Sequence, residues 1–214
     1  MELKVEKQFG WDSEVSERVR RVCRMFGLTL ERLRDRELNF NCEVKVRAGD
    51  VVYVTGPSGA GKSVILRELE RQVPEEERVN LYDIELSEKE AVIDGMDGRL
   101  LDALKMLSIA GLSDVFCLLE RSAYLSEGQQ WRYRLARALA SGRRTIFADE
   151  YCSGLDRLSA AAVSYRVRRY AKERKVTFFL ASSHEDVLAD LQPDVIVRCE
   201  LGGGIDVIYR EEWG

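Results

Sequence analysis

A chain of 214 residues with 45% hydrophobic and 33% charged residues can bury a sizeable core, which excludes a disordered tail. Its formal net charge of −4 gives no overall attraction for nucleic acid or anionic membrane. Five scattered cysteines with no C-x-x-C pair argue against a disulfide framework or a zinc site. There is neither an apolar signal segment at the N-terminus nor an apolar run near the roughly 20 residues of a membrane span, so the expected location is cytoplasmic, without membrane insertion of its own.

In chain order, residues 13–26 predict a helix capped by Ser13, with an apolar stripe of Val15, Val19, Val22 and Cys23, stopped at Gly27. Residues 38–46 alternate, which places Leu38, Phe40, Cys42, Val44 and Val46 on one face of a half-buried strand. A turn at Ala48-Gly49-Asp50 leads into VVYVT (51–55), a fully apolar strand, and a helix is expected from Lys62 to about Gln72. Residues 98–120 are weakly helical, and a stronger helix starts near Ser126 and runs to about Ser141. TIFA (145–148) and VTFFLA (176–181) read as buried strands around a helix at 157–174, and the tail VIVRCE–LGGG–IDVIYRE reads as a hairpin or two edge strands. Apolar strands alternating with helices indicate a parallel sheet covered on both faces.

GPSGAGKS (56–63) matches G-x-x-x-x-G-K-[ST] between a strand and a helix. Glycines allow the tight turn that aims backbone N–H groups at phosphate oxygens, and the helix adds its positive end. Gly56, Ser58, Gly59, Ala60, Gly61, Lys62, Ser63 and Val64 are therefore the candidate nucleotide-binding segment. Within it Lys62 is expected to reach the β- and γ-phosphates, and Ser63 to ligate Mg²⁺. Asp149 and Glu150 end a buried strand, where an α/β sheet opens its ligand crevice. Asp149 fits a Mg²⁺ ligand, and Glu150 fits a base for an attacking water.

Ser126-x-x-Gln129 is a capping box for the helix that follows. The capped end also offers free N–H groups to an anion. Two arginine clusters, Arg18/Arg20/Arg21/Arg24 and the stretch 165–175, ordinarily mean a solvated face. The alternative is contact with nucleic-acid phosphates.

Taken in order, the phosphate loop, LSEGQ (Leu125–Gln129), the Asp149–Glu150 pair, SGLD (Ser153–Asp156) and the sole histidine, His184 in LASSH, resemble the ABC ATPase family over about residues 40–200. The resemblance implies an α/β P-loop NTPase fold of ABC type. This has a mixed, mainly parallel sheet flanked by helices, antiparallel edge strands and a short helical signature subdomain. Residues 1–214 form one domain, with 1–95 and 130–214 as the ATP-binding core and about 96–129 as the reduced helical part. The resemblance also implies Mg²⁺-dependent ATP hydrolysis by a head-to-tail homodimer. Lys62, Glu150 and His184 are then the catalytic group, with His184 touching the γ-phosphate and orienting the water. Ser126, Gly128 and Gln129 belong to the signature that grips the γ-phosphate held by the other subunit. Asp156 crosses the interface, and Phe26, in RMFGL, is the candidate for stacking on adenine or else a core residue.

Three places depart from the family pattern: Glu127, the Q-loop glutamine and the adenine-stacking aromatic, which an insertion separates from the next strand. Glu127 stands where Gly is commoner, and the Q-loop glutamine is missing, with Asp94 in AVIDGM its positional stand-in and a third candidate for Mg²⁺. Only 64 positions separate Lys62 from Ser126, which trims the helical lobe that in transporters receives the membrane subunit. FADEYCSGLDRLSA and SSHEDVLADLQPDVIVRCELGGG look most like stand-alone prokaryotic and archaeal ABC-type ATPases, some of them fused to a predicted acetyltransferase domain. The expectation is therefore an ATPase outside the classical transporters, acting on an unknown partner protein. The alternatives are a transporter subunit and a DNA-associated or ATP-switched interaction module.

Overall fold

The computed structural model describes residues 1–10, 13–34 and 38–210. Its main sheet has six strands: β3 (Val51–Thr55), β4 (Arg78–Asn80), β5 (Thr145–Ala148), β6 (Thr177–Ala181), β7 (Val195–Cys199) and β8 (Ile205–Tyr209), in the order β4-β5-β6-β3-β7-β8. All neighbours are parallel except β7 and β8. A separate antiparallel ribbon joins β1 (Glu2–Phe9) to β2 (Leu38–Lys45). Helices α3 (Lys62–Arg71), α6 (Glu127–Ala140) and α7 (Arg157–Arg174) make the main crossovers, and α8 (Leu188–Leu191) leads into β7.

The apolar strands are buried because both sheet faces are covered. Along β3, Val51 and Tyr53 join the core under α6 and α7, while Val52 and Val54 join the core under α3 and the β1–β2 ribbon. In the second core Phe147 and Phe179 stack with ring centroids 4.7 Å apart. β3 lies between β6 and β7, so the chain leaves it in one direction and later returns on its other side. Such a reversal opens a crevice at the carboxyl ends of the strands.

Most of the expected elements are present, with corrections at the N-terminal end. Helix α1 spans Glu17–Met25, and its cap is Ser16, whose hydroxyl accepts from Val19 N, rather than Ser13. Of the expected stripe only Cys23 is buried, and Val22 is half exposed. Gly27 ends the helix at φ +65°, as its type requires. β1, the short helix α2 (Leu30–Arg34) and β4 were not expected. Among its described side chains β1 buries Leu3 and Val5 before the alternation fails at Lys7, and β4 has three half-buried residues with no pattern. Phe40, Cys42, Val44 and Val46 face inward as expected, whereas the inward placement of Leu38 lies outside the described side chains. The tail forms a hairpin, but only β8 is an edge, because β7 also pairs with β3.

The cation cluster on α7 is used within the chain. Arg168 grips both carboxylate oxygens of Asp194, and Lys172 reaches Asp194 at 2.9 Å and Asp50 at 3.2 Å. Asp194 also accepts from Val51 N at 2.8 Å, so one carboxylate ties α7 to β3 and β7. Arg166 donates to the Ser108 carbonyl and Arg169 pairs with Glu173, which leaves less charge for nucleic-acid phosphates. Burial pushes the Asp194 carboxyl up, but its hydrogen bonds from Arg168, Lys172 and Val51 outweigh this and hold it below its usual value. A depressed folded value stabilises fully above the unfolded value of about 3.9 and is lost as pH falls through the folded one. Asp194→Asn is therefore expected to lower stability at neutral pH by about 2 kcal/mol and to flatten the acid limb below about pH 4, read by thermal melts across pH.

The five cysteines are free. Burial pushes the Cys42 and Cys199 thiols up to about 11 and Cys152 up to about 12, so these three stay protonated and inert at neutral pH.

Candidate nucleotide site

β3 runs directly into the loop Gly56–Gly61, and α3 begins at Lys62. Gly56, Gly59 and Gly61 have φ of +138°, +80° and +88°, a backbone that side chains rarely adopt. Two of them are also pressed from outside. A methyl group on Gly56 would lie 2.1 Å from the Cys199 carbonyl oxygen, and one on Gly61 would lie 2.4 Å from the Phe40 ring. The loop is thus seated on β7 and on the β1–β2 ribbon. Ala60 is buried beneath it, and Ser58 and Gly59 are exposed. Gly61 caps α3 with no side-chain bond, so the amide groups of the first turn remain open to an anion. Lys62 Nζ donates to the Gly56 and Pro57 carbonyls at 2.9 and 3.0 Å, which holds the ammonium over the loop mouth.

The carboxyl ends of β3, β5 and β6 meet at a cavity of about 420 Å³, lined by Ser58, Gly59, Gly61, Lys62, Ser63, Val64, Asp149, Glu150, Ser153, Ser182 and Ser183. A larger concavity of about 830 Å³ lies at the opposite end of the sheet, but it is lined by the Asp50–Lys172–Asp194 network and has no phosphate loop. Asp149 is half-buried and Glu150 exposed, and Glu150 N donates to Asp149 Oδ1 at 3.0 Å. Glu150 and Cys152 hold φ of +45° and +59°, strain that is offset where Tyr151 N bonds the Ala181 carbonyl at 2.8 Å.

Oxygen donors from Ser63 and Asp149 suit Mg²⁺, which takes one or two carboxylates plus phosphate oxygens and water rather than an all-protein cage. No group of three or more His, Cys, Asp or Glu gathers as a metal site among the described residues. Cavity size, amide groups and Lys62 fit a nucleotide phosphate chain.

The other expected residues lie outside this cavity. Ser126 caps α6 in a reciprocal box: Gln129 N donates to Ser126 Oγ at 3.3 Å, and Ser126 N to Gln129 Oε1 at 2.8 Å. Gly128 is buried, and a methyl group there would fall 2.8 Å from the Gly154 carbonyl oxygen. Asp156 caps α7 by accepting from Ser159 N at 3.0 Å, and its hydrogen bonds with Ser159 hold its carboxyl below the usual value. His184 has an exposed side chain, and its backbone is fixed by Ser182 Oγ and Tyr53 OH. Phe26 is 74% exposed at the end of α1, so it is not core.

Asp94 sits on the turn 91–95, whose N–H groups at Val92 and Ile93 bond the Glu120 and Leu118 carbonyls, with Gly95 against the Tyr133 hydroxyl. β4 ends at Asn80, paired with Phe147 of β5, and the single 3-10 turn that follows, Leu81–Asp83, holds Tyr82 near Asp149 and Glu150. Burial and the nearby Glu150 and Asp149 charges push the Tyr82 phenol up. Ser182 and Ser183 line the cavity without having been expected there, because their positions depend on where β6 ends, and Ser153 of the SGLD motif lines it as well.

No protein-family model matches the chain. It is 32% identical to the putative ABC transporter ATP-binding protein YjkB of Bacillus subtilis over 161 residues, covering 62% of this chain and 64% of that protein. It is 30% identical to the aliphatic sulfonates import ATP-binding protein SsuB of Pseudomonas putida over 198 residues, covering 80% of this chain and 71% of that protein. The dimeric post-hydrolysis structure of the ATP-binding cassette MJ0796 bound to ADP and Pi superposes with a TM-score of 0.70 at 18% identity, covering 98% of each chain. These relatives correct one expectation, because their names point to transporter subunits and give no support to a chain standing apart from transporters. A phosphate loop facing a strand-end carboxylate pair, on this sheet order and with these relatives, places the chain in the ATP-binding cassette (ABC) family of ATPases.

Proposed function

We propose that the chain is the ATP-hydrolysing subunit of an ABC membrane transporter, working as a head-to-tail dimer at the cytoplasmic face. The observation that carries hydrolysis is the cavity in which Lys62 and Ser63 face Asp149 and Glu150. The transporter reading is supported by the relatives and by the lobe between β4 and α6. Its helices α4 (Leu100–Ile109) and α5 (Val115–Leu119) expose Leu100, Leu101, Val115, Phe116 and Leu119, large apolar side chains that a free surface rarely gathers. No described helix is long and apolar enough to cross a membrane.

In this reading the loop amides and Lys62 hold the β- and γ-phosphates, and Ser63 and Asp149 hold Mg²⁺, which supplies charge neutralisation when bound. Glu150 takes a proton from the water as its oxygen bonds to the γ-phosphorus and the bond to the ADP oxygen breaks. His184 orients that water. Ser126, Gly128 and Gln129 of one subunit close on the γ-phosphate held by the other, with Asp156 at the interface and Phe26 against adenine. Asp94 stays with the lobe and relays its movement.

The test is capture of the Glu150→Gln protein from detergent-solubilised membranes. A polytopic membrane protein in the complex supports the reading. Full ATP turnover by the wild-type chain, with no membrane protein captured by the variant, favours the stand-alone ATPases that the sequence resembles. Phe116→Asp is expected to abolish capture while leaving the ATPase rate of the isolated chain within about twofold, since exposed substitutions move stability little.

A further inference from the structure

We infer that Tyr53 is a positioning residue that sets His184, and this rests on the nucleotide reading above. Tyr53 stands in the middle of a strand whose other buried side chains are Val51, Val52, Val54 and Thr55, and it is fully buried. A phenylalanine would fill the same space, so only the hydroxyl distinguishes this side chain. A buried hydroxyl is costly without a partner, and this one donates to the His184 carbonyl in the loop after β6, beside Ser182. The same loop is held to β3 by Ser182 N on the Val54 carbonyl at 3.0 Å and by Thr55 Oγ1 on Glu185 Oε1 at 3.3 Å. The strand that ends in the phosphate loop therefore also fixes the histidine loop.

The Tyr53 ring extends this link. It meets Tyr151 edge-on at 6.5 Å and 87°, and Tyr151 meets Trp131 of α6 at 5.5 Å and 74°. Tyr151 directly follows Glu150 and is fully buried. One line of rings thus runs from the signature helix, past the residue after Glu150, to the hydroxyl that holds His184. Tyr53 acts through His184 and touches no substrate.

The test is Tyr53→Phe, with Tyr170→Phe as control. The control also removes a hydroxyl-to-carbonyl bond, that from Tyr170 to Leu139, away from the site. Tyr53→Phe is expected to lower kcat for MgATP roughly five- to tenfold with KM within about twofold, the scale of one lost hydrogen bond. In a His184→Ala background it adds nothing, whereas a merely structural role gives an additive loss. His184 is the sole histidine, so its imidazole NMR signals are unambiguous. Tyr53→Phe is expected to shift them and lengthen their transverse relaxation, and Tyr170→Phe leaves them in place. Wild-type kcat with unchanged imidazole signals overturns the inference. Absence of ATP turnover in the wild type overturns the nucleotide reading instead, and the imidazole relaxation then still decides the role of Tyr53.

Discussion

Glu150→Gln is expected to lower ATP turnover at least about a hundredfold while leaving ATP affinity intact. Glutamine keeps the size and hydrogen bonding of the side chain but cannot take the proton of an attacking water. Among the described residues lining the cavity, Asp149 is the other carboxylate. Its Oδ1 already accepts from Glu150 N, and its other oxygen is proposed to face Mg²⁺. Unable to finish the reaction, the variant should accumulate as an ATP-bound dimer. Size-exclusion chromatography with saturating MgATP checks this against single-turnover hydrolysis. A Glu150→Gln protein that turns over at the wild-type rate removes Glu150 from the base role, and one that stays monomeric with ATP bound removes the composite site.

The second large effect is structural. Gly56→Ala is expected to destabilise the fold by about 3 kcal/mol or more and to abolish ATP binding. At φ +138° the backbone is in a region essentially reserved for glycine, and the added carbon meets the Cys199 carbonyl oxygen at 2.1 Å. Backbone of a central strand cannot move aside as a flexible side chain can. Gly59 supplies the contrast. Its φ is +80° and nothing lies within 4 Å of an added carbon, so Gly59→Ala carries conformational strain alone, about 1–2 kcal/mol. Thermal denaturation and nucleotide titration of the two variants separate the seating of the loop from its turn geometry.

These contrasts show why some of the site was legible in the sequence. A phosphate loop constrains backbone conformation, and only a few residue types meet that constraint, so Gly56, Gly61, Lys62 and Ser63 announce themselves. The carboxylate pair was legible because an apolar strand runs straight into it, and the cap at Ser126 because capping needs specific side chains at a specific spacing. Tyr82 was not legible: β4 is too short to show a period, so the turn that follows it and the phenol near Asp149 and Glu150 could not be placed. Tyr53 was hidden for the opposite reason, since in an apolar strand a tyrosine reads as one more core residue until its hydroxyl is seen to bond a distant loop. The first helix shows a third cause. Ser13 and Ser16 are equally good caps by type, and only the bond to Val19 N chooses between them.

The contact between Gly128 and Gly154 bears on how two ATP molecules are used. In the proposed dimer the end of α6 that carries Gly128 answers to the nucleotide on the opposite subunit, while Gly154 follows Glu150 and Ser153 of the subunit's own cavity. The two segments meet closely: a methyl group on Gly128 would fall 2.8 Å from the Gly154 carbonyl oxygen and 3.1 Å from Leu155 Cδ2. In the proposed dimer this contact joins the two composite sites, and the expectation is that the two nucleotides are bound and spent as a pair. The expected result is a sigmoidal dependence of rate on ATP, which Gly128→Ala, by forcing Gly154 and Leu155 to shift, is expected to flatten.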